Sequence, residues 1–283
     1  MSYPSLSYRS DWISCSPAQP APMSRLTMSS ATQTPPCRAC RGGVVSPFPF
    51  TMAFQPIINV VAGTVFAYEA LVRGTDGESA GEVLGWLNSA NVYAFDQSCR
   101  VKAIELAAGL GLVETGAALS INFLPGAVYD PAACIRLTLE TARKMNFPVD
   151  RLVFEVMERE KVIDTQHLKA IAAEYRRRGM RVALDDYGAG FCGLNLLAEL
   201  DVDVVKLDTR LIREVHLRPK SVAIVETMAA LSARIGFELV AEGVETIEEY
   251  TMLRACGVNL MQGHLLARPA IEQLPDFALP SAV

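Results

Sequence analysis

From residue 51 onward, short β-rich apolar runs alternate with helix-like stretches, and nearly every run ends on a polar or ionisable residue. Runs at 52–58, 64–71, 117–123, 151–156, 181–185, 203–207, 237–241 and 258–261 read as strands. Segments 79–89, 94–110, 131–145, 164–178, 219–235 and 246–255 read as helices. Gly179 follows Arg176-Arg177-Arg178, where cations and a glycine suit a helix C-terminus; Gly236 and Gly257 close later helices the same way. The strands are near-continuous apolar segments, as in parallel sheets covered on both faces. This alternation predicts an α/β fold, a (β/α)8 TIM-like barrel, with a doubly wound open sheet as the alternative. The first two runs, joined by residues 59–63, predict a hairpin, so that one strand at the start runs antiparallel to the rest.

The polar run ends are, in order, Glu69, Asn122, Glu155, Asp185-Asp186, Lys206, Glu242 and Gln262. In a barrel the C-terminal strand ends converge on one mouth, where catalytic groups are placed. A single such residue reads more simply as a solvated strand end. Seven ends together read as a site. Five carboxylates in one mouth repel one another, and a bound divalent cation, or two, relieves that repulsion. Oxygen-only ligands suit Mg²⁺ or Mn²⁺. Adjacent Asp185 and Asp186 suit a two-metal site, one carboxylate bridging while its neighbour holds the second ion. Two such ions point to phosphoryl chemistry. Lys206 would hold the attacking water or balance the acids, the plainer reading being a structural ion pair. Arg73, four residues after Glu69, has the fork to grip a phosphate. His167, His216 and His264 are not at zinc spacing.

Composition narrows the partners. A formal net charge of −5 argues against broad nucleic-acid or anionic-membrane binding. No apolar run reaches the ~18–20 residues of a membrane span, and no secretory signal is evident. Seven cysteines, an odd number, read as reduced thiols in a cytoplasmic protein. Residues 1–50 hold eight of the 16 prolines and ten serines, and read as a disordered or loosely attached arm before a barrel domain at 51–283. Cys37 and Cys40 in the arm make half a zinc site at most.

Six segments carry a resemblance to a known family. Glu69-Ala70-Leu71-Val72-Arg73 resembles EALxR, and Phe154-Glu155 with Glu158 resembles FExxE. Asp185-Asp186-Tyr187-Gly188-Ala189-Gly190 resembles DDFGxG, and Lys206-Leu207-Asp208 resembles KxD. Ala241-Glu242-Gly243-Val244-Glu245-Thr246 reads AEGVET, and Gln262-Gly263 with Arg268-Pro269 resembles QGYxxxRP. In this order the segments resemble the EAL-domain family of bacterial cyclic di-GMP phosphodiesterases over about residues 52–275. Met157, Ala189, Phe123-Leu124 and His264 depart from the usual pattern, and none is a predicted metal ligand.

The resemblance implies a barrel that linearises cyclic di-GMP to pGpG with Mg²⁺ or Mn²⁺, Ca²⁺ being inhibitory. Glu69, Asn122, Glu155 and Asp185 would hold one metal. Asp185 and Asp186 would hold the second, with Glu242 near it or its water. Lys206, Glu242 and Glu69 are the implied catalytic set. Arg73, Gln262, Asp208 and Glu245 are the implied substrate contacts, and Glu158 would anchor the loop after Asp186. A homodimer and an unidentified signalling protein are the implied partners. The alternative is a weakly active or inactive cyclic di-GMP receptor on the same barrel; a protein-interaction module and another two-metal barrel hydrolase are further readings.

Overall fold

Strand propensity and burial cooperate at the start of the domain. Thr51–Asn59 (β1) and Thr64–Arg73 (β2) pair antiparallel along almost their whole length, the predicted hairpin. The computed structural model describes residues 46–157, 165–189 and 193–280. The predicted arm therefore lies almost wholly outside the described residues, as do Cys15, Cys37, Cys40, Glu158 and Gly190.

The remaining strands are Ala118–Asn122 (β3), Leu152–Met157 (β4), Arg181–Tyr187 (β5), Val204–Leu207 (β6), Glu238–Ala241 (β7), Leu260–Met261 (β8) and Ala270–Ile271 (β9). β2 through β8 are parallel neighbours in chain order. β1 closes the ring, antiparallel to both β2 and β8. Closure overturns the open-sheet alternative. β9 pairs with β1 outside the ring, where two residues are too few to leave a periodic signal in the sequence.

The helices are Ala80–Gly85 (α1), Val92–Gly109 (α2), Leu112–Thr115 (α3), Pro131–Cys134 (α4), Arg136–Lys144 (α5), Thr165–Arg177 (α6), Gly193–Glu199 (α7), Thr209–Ile212 (α8), Pro219–Ile235 (α9) and Ile247–Ala255 (α10). The single helix expected at 131–145 is divided at Ile135, whose backbone stays right-handed while the helix pattern is interrupted. Ser79 with Glu82, and Thr246 with Glu249, form reciprocal capping boxes that start α1 and α10. Gly236 ends α9 in the left-handed conformation.

Two apolar layers follow from the two faces of the strands. The outward face packs on the helices through Phe54, Leu119, Phe154, Val182, Val205 and their neighbours. The inward face supplies one residue per ring strand: Ile57, Ala67, Ala118, Val153, Ala183, Val204, Val240 and Leu260. These eight plug the barrel and form the floor under its mouth.

Candidate active site

Because side chains alternate along a strand, the residue two positions nearer the mouth also faces inward. Counting two from each plug residue gives Gln55, Glu69, Ser120, Glu155, Asp185, Lys206, Glu242 and Gln262. All eight are polar. Six of these strand positions coincide with the run ends singled out in the sequence. Ser120 and Gln55 were missed, and the same two-residue count from Ala118 and Ile57 finds them.

Lys206 is fully buried at the centre. Its Nζ lies 3.1 Å from Glu69 Oε2, 2.9 Å from Glu155 Oε2, 3.1 Å from Asp185 Oδ1 and 2.7 Å from Glu242 Oε1. Asn122 Nδ2 and Gln262 Nε2 each donate to Glu69 at 3.0 Å, and Ser120 Oγ donates to Glu155. Burial alone would lower the ammonium of Lys206, but Asp185, Glu155, Glu242 and Glu69 together hold it well above its ordinary range. Burial, then Glu69 and Asp185, push Glu155 well above the usual carboxylate range. Burial, then Asp185 and Glu69, do the same to Glu242. Glu69 moves down: burial opposes this, and Lys206, Gln262 and Asn122 outweigh it.

Asp186 would face away from the mouth if β5 kept its pleat. Instead its backbone is left-handed, with φ of 54°, and the pairing of β5 with β6 slips between Leu184 and Tyr187. Such a bulge re-aims a side chain, and aspartate tolerates left-handed backbone better than most residues. Two acidic groups result, each with ligand atoms within 4.8 Å of one another: Glu69, Glu155 and Asp185, and Asp185, Asp186 and Glu242. Asp185 belongs to both. Glu69, Asp185, Asp186, Glu242 and Gln262 line a cleft of about 360 Å³ that Gln55, Glu245 and His264 also reach.

The loops after β7 and β8 interlock above this cleft. Val244 N donates to Gln262 O, and Leu265 N donates to Val244 O, each at 3.1 Å. A Cβ at Gly263 would sit 2.0 Å from Val244 O, so only glycine permits the approach. At Gly243, with φ of +68°, a Cβ would meet Thr209 Oγ1 at 2.4 Å.

Three of the expected substrate contacts have partners within the chain. Asp208 accepts from the backbone N–H of Arg210 at 2.8 Å as the N-cap of α8, pairs with the Arg210 side chain, and does not line the cleft. An aspartate just before a helix is also a capping signal. Arg73 donates to the Val72 carbonyl at 2.7 Å and also lies outside the cleft lining. Glu245 lines the cleft and is held by both terminal nitrogens of Arg213. Glu158, the expected loop anchor, is outside the described residues.

Comparison with known proteins follows the same lines. Residues 49–269 match the EAL domain family. Among curated proteins, the chain is 25% identical over 239 residues to the cyclic di-GMP phosphodiesterase PA2567 of Pseudomonas aeruginosa, covering 81% of this chain and 40% of that protein. It is 26% identical over 228 residues to the blue light- and temperature-regulated antirepressor BluF of Escherichia coli, covering 81% and 56%. The chain thus spans about half or less of these curated relatives. Among solved structures it resembles a standalone versatile EAL protein from Vibrio cholerae in its c-di-GMP bound form, with TM-score 0.78 and 47% identity, covering 82% of this chain and 97% of that one. It also resembles Klebsiella pneumoniae BlrP1 in a manganese and cy-diGMP complex, with TM-score 0.75 and 32% identity, covering 81% and 58%. With the match extending across the whole barrel, the chain belongs to the EAL domain family.

Proposed function

We propose that this chain hydrolyses one phosphodiester of cyclic di-GMP to give linear pGpG, with Mg²⁺ or Mn²⁺ as cofactor. The observation that carries the reading is the pair of acidic groups sharing Asp185 over a buried Lys206. The donor set fits two hard divalent ions. It is all oxygen, and four carboxylates around one ammonium leave three formal negative charges uncompensated when all are ionised. Asp185 Oδ1 is buried with no hydrogen-bond donor in good geometry among the described residues, although Lys206 lies 3.1 Å away. Glu69, Glu155, Asp185 and the Asn122 amide oxygen would hold one ion; Asp185, Asp186 and Glu242 would hold the other. Bound there, the ions would supply Lewis-acid stabilisation and a nucleophile at neutral pH.

The residues divide the remaining tasks. Lys206, held charged by its four neighbours, neutralises and orients rather than accepting a proton. Proton acceptance from the attacking water falls to Glu242, which lies 2.7 Å from the Lys206 ammonium and lines the cleft. The 3′ oxygen leaves, and the 5′ phosphate remains on pGpG. Gln262 and Glu245 in the cleft contact the nucleotide, together with Arg73 and Asp208, and Glu158 anchors the loop after Asp186. The homodimer, a signalling partner, the cytoplasmic location and a separate N-terminal arm belong to this proposal as well. Among the described residues, no helix is long and apolar enough to cross a membrane.

The test is hydrolysis of cyclic di-GMP by the purified chain with Mg²⁺, Mn²⁺ and Ca²⁺ in parallel, following pGpG directly. Product with Mg²⁺ or Mn²⁺ and little with Ca²⁺ is the expected result. Tight binding of the nucleotide without product would make the chain a receptor instead.

A further inference from the structure

Between the barrel wall and its helices lies a second buried charged group that the chemistry above does not use. Asp96 and Arg100, one turn apart on α2, are 3% and 0% exposed and pair at 2.6 Å. Arg100 Nη1 donates to the Tyr175 hydroxyl of α6 at 2.7 Å. The guanidinium lies over the rings of Phe123, Phe154 and Tyr175, at 5.4, 5.4 and 5.8 Å from their centres. The second carboxylate oxygen of Asp96 accepts the backbone N–H of Leu124 at 2.9 Å.

These contacts fall beside two of the proposed metal ligands. Phe123 and Leu124 directly follow Asn122, and Phe154 directly precedes Glu155. Asn122 is the last residue of β3, and its pairing with Glu155 is the last step of the β3–β4 register. Phe123 N donates to Glu155 O at 3.1 Å, after which the chain leaves the ladder. Leu124 sits in extended backbone just past the strand, and Asp96 gives its N–H a partner.

We propose that Asp96 is a positioning residue for the mouth: its carboxylate pins the chain just past β3 and thereby fixes the direction of the Asn122 amide. The inference rests on the metal reading given above. A strand-end ligand followed by an unanchored turn would sample several orientations, and each would cost affinity on closing around an ion. Arg100 holds the carboxylate in place, and Tyr175 with the three ring faces holds Arg100. Outer groups that orient a ligand are typically worth 10–100-fold in metal affinity.

The experiment is Mn²⁺ titration of the purified full chain, with free Mn²⁺ read by electron paramagnetic resonance and thermal melting recorded alongside. Asp96→Asn and Asp96→Ala both remove the charge opposite Arg100, so both lower the melting temperature. Only Asp96→Ala removes the acceptor for Leu124 N–H. Asp96→Ala is expected to weaken Mn²⁺ binding about 10–100-fold, while Asp96→Asn stays within about threefold of the parent. Where Asp96→Ala fails to fold, the Asp96→Ala/Arg100→Met double variant, which leaves no unpaired buried charge, is read in its place with the same expectation. Unchanged Mn²⁺ affinity in the alanine variant, or equal weakening in both single variants, overturns the inference and leaves the metal reading standing. A parent chain that binds no Mn²⁺ overturns both.

Discussion

Among the described residues two cations are buried in this barrel, and their surroundings differ in kind. Lys206 in the mouth has four carboxylates within 3.1 Å. Arg100 behind the wall has one carboxylate, one tyrosine hydroxyl and three ring faces. At Arg100 charge is matched one for one, and the flat guanidinium is covered by rings whose faces attract it. That arrangement carries no excess of acid, though Arg100 Nε is buried without a hydrogen-bond partner among the described residues. At Lys206 the acids outnumber the base, and burial amplifies the imbalance, so Glu155 and Glu242 are pushed well above the usual carboxylate range. A balanced buried pair holds architecture together, whereas an unbalanced one is a place that gains by taking up positive charge.

The sharpest way to break this contrast is to remove an acid from the mouth. Glu69→Ala should cut metal-dependent turnover by at least about 100-fold, beyond the usual effect of an outer group. Its metal-free melting temperature should fall, because Lys206, Asn122 and Gln262 each lose a buried acceptor. Near-parental activity in Mg²⁺ would remove Glu69 from the metal site. A loss of stability is also expected behind the wall. Arg100→Met leaves Asp96 buried without its partner and should cost about 3–5 kcal/mol in denaturant unfolding. A loss within experimental error would mean the pair is not the balanced element described here.

The next contrast is in metal and pH. Mn²⁺ at about 100 times its dissociation constant should stabilise the parent by about 2.7 kcal/mol. Without metal, the folded chain keeps protons on Glu155 and Glu242 that the unfolded chain has released above its ordinary glutamate range. Their contribution is therefore present at low pH and is lost as pH rises toward the raised folded values. Glu69, shifted down, acts in the other direction, but only as pH falls below the ordinary glutamate range. Lys206 contributes evenly until pH exceeds its ordinary value. Melting in a chelator should thus drop as pH rises above the ordinary glutamate range. Glu242→Gln should flatten that slope, and an unchanged slope in this variant would show that other groups set it. The smallest effect expected is at Tyr175→Phe, about 1 kcal/mol for one buried hydrogen bond, with Mn²⁺ affinity nearly kept.

Much of this was legible in the residues. The strands announced themselves as apolar runs because both faces of each are buried, and their polar ends marked the mouth. The hairpin was legible because two β-rich runs stand five residues apart. What escaped reading had physical causes. Ser120 and Gln55 are ordinary polar residues inside strands, and only their place two residues from the plug distinguishes them. α7 and α8 are too short to set up a periodic face. Asp208 carries two signals, a strand-end motif and a helix cap, and its intrachain contacts are those of the cap. The Asp96–Arg100 pair was hidden because burial of a charged pair one turn apart looks, in sequence, like an exposed helix face.

The left-handed backbone at Asp186 has a consequence for how many ligands a ring of strands can seat. Each strand offers one inward seat per level, and at the level above the plug all eight seats are taken, one of them by the lysine. A second acidic group at that height therefore has no free seat. The slip in β5 creates one by letting a single strand contribute twice. A chain that kept regular pleating there would have the same composition and the same motif letters, yet would assemble only the first of the two groups. One torsion angle thus lets β5 place two carboxylates at the mouth, Asp185 in both acidic groups and Asp186 in the second.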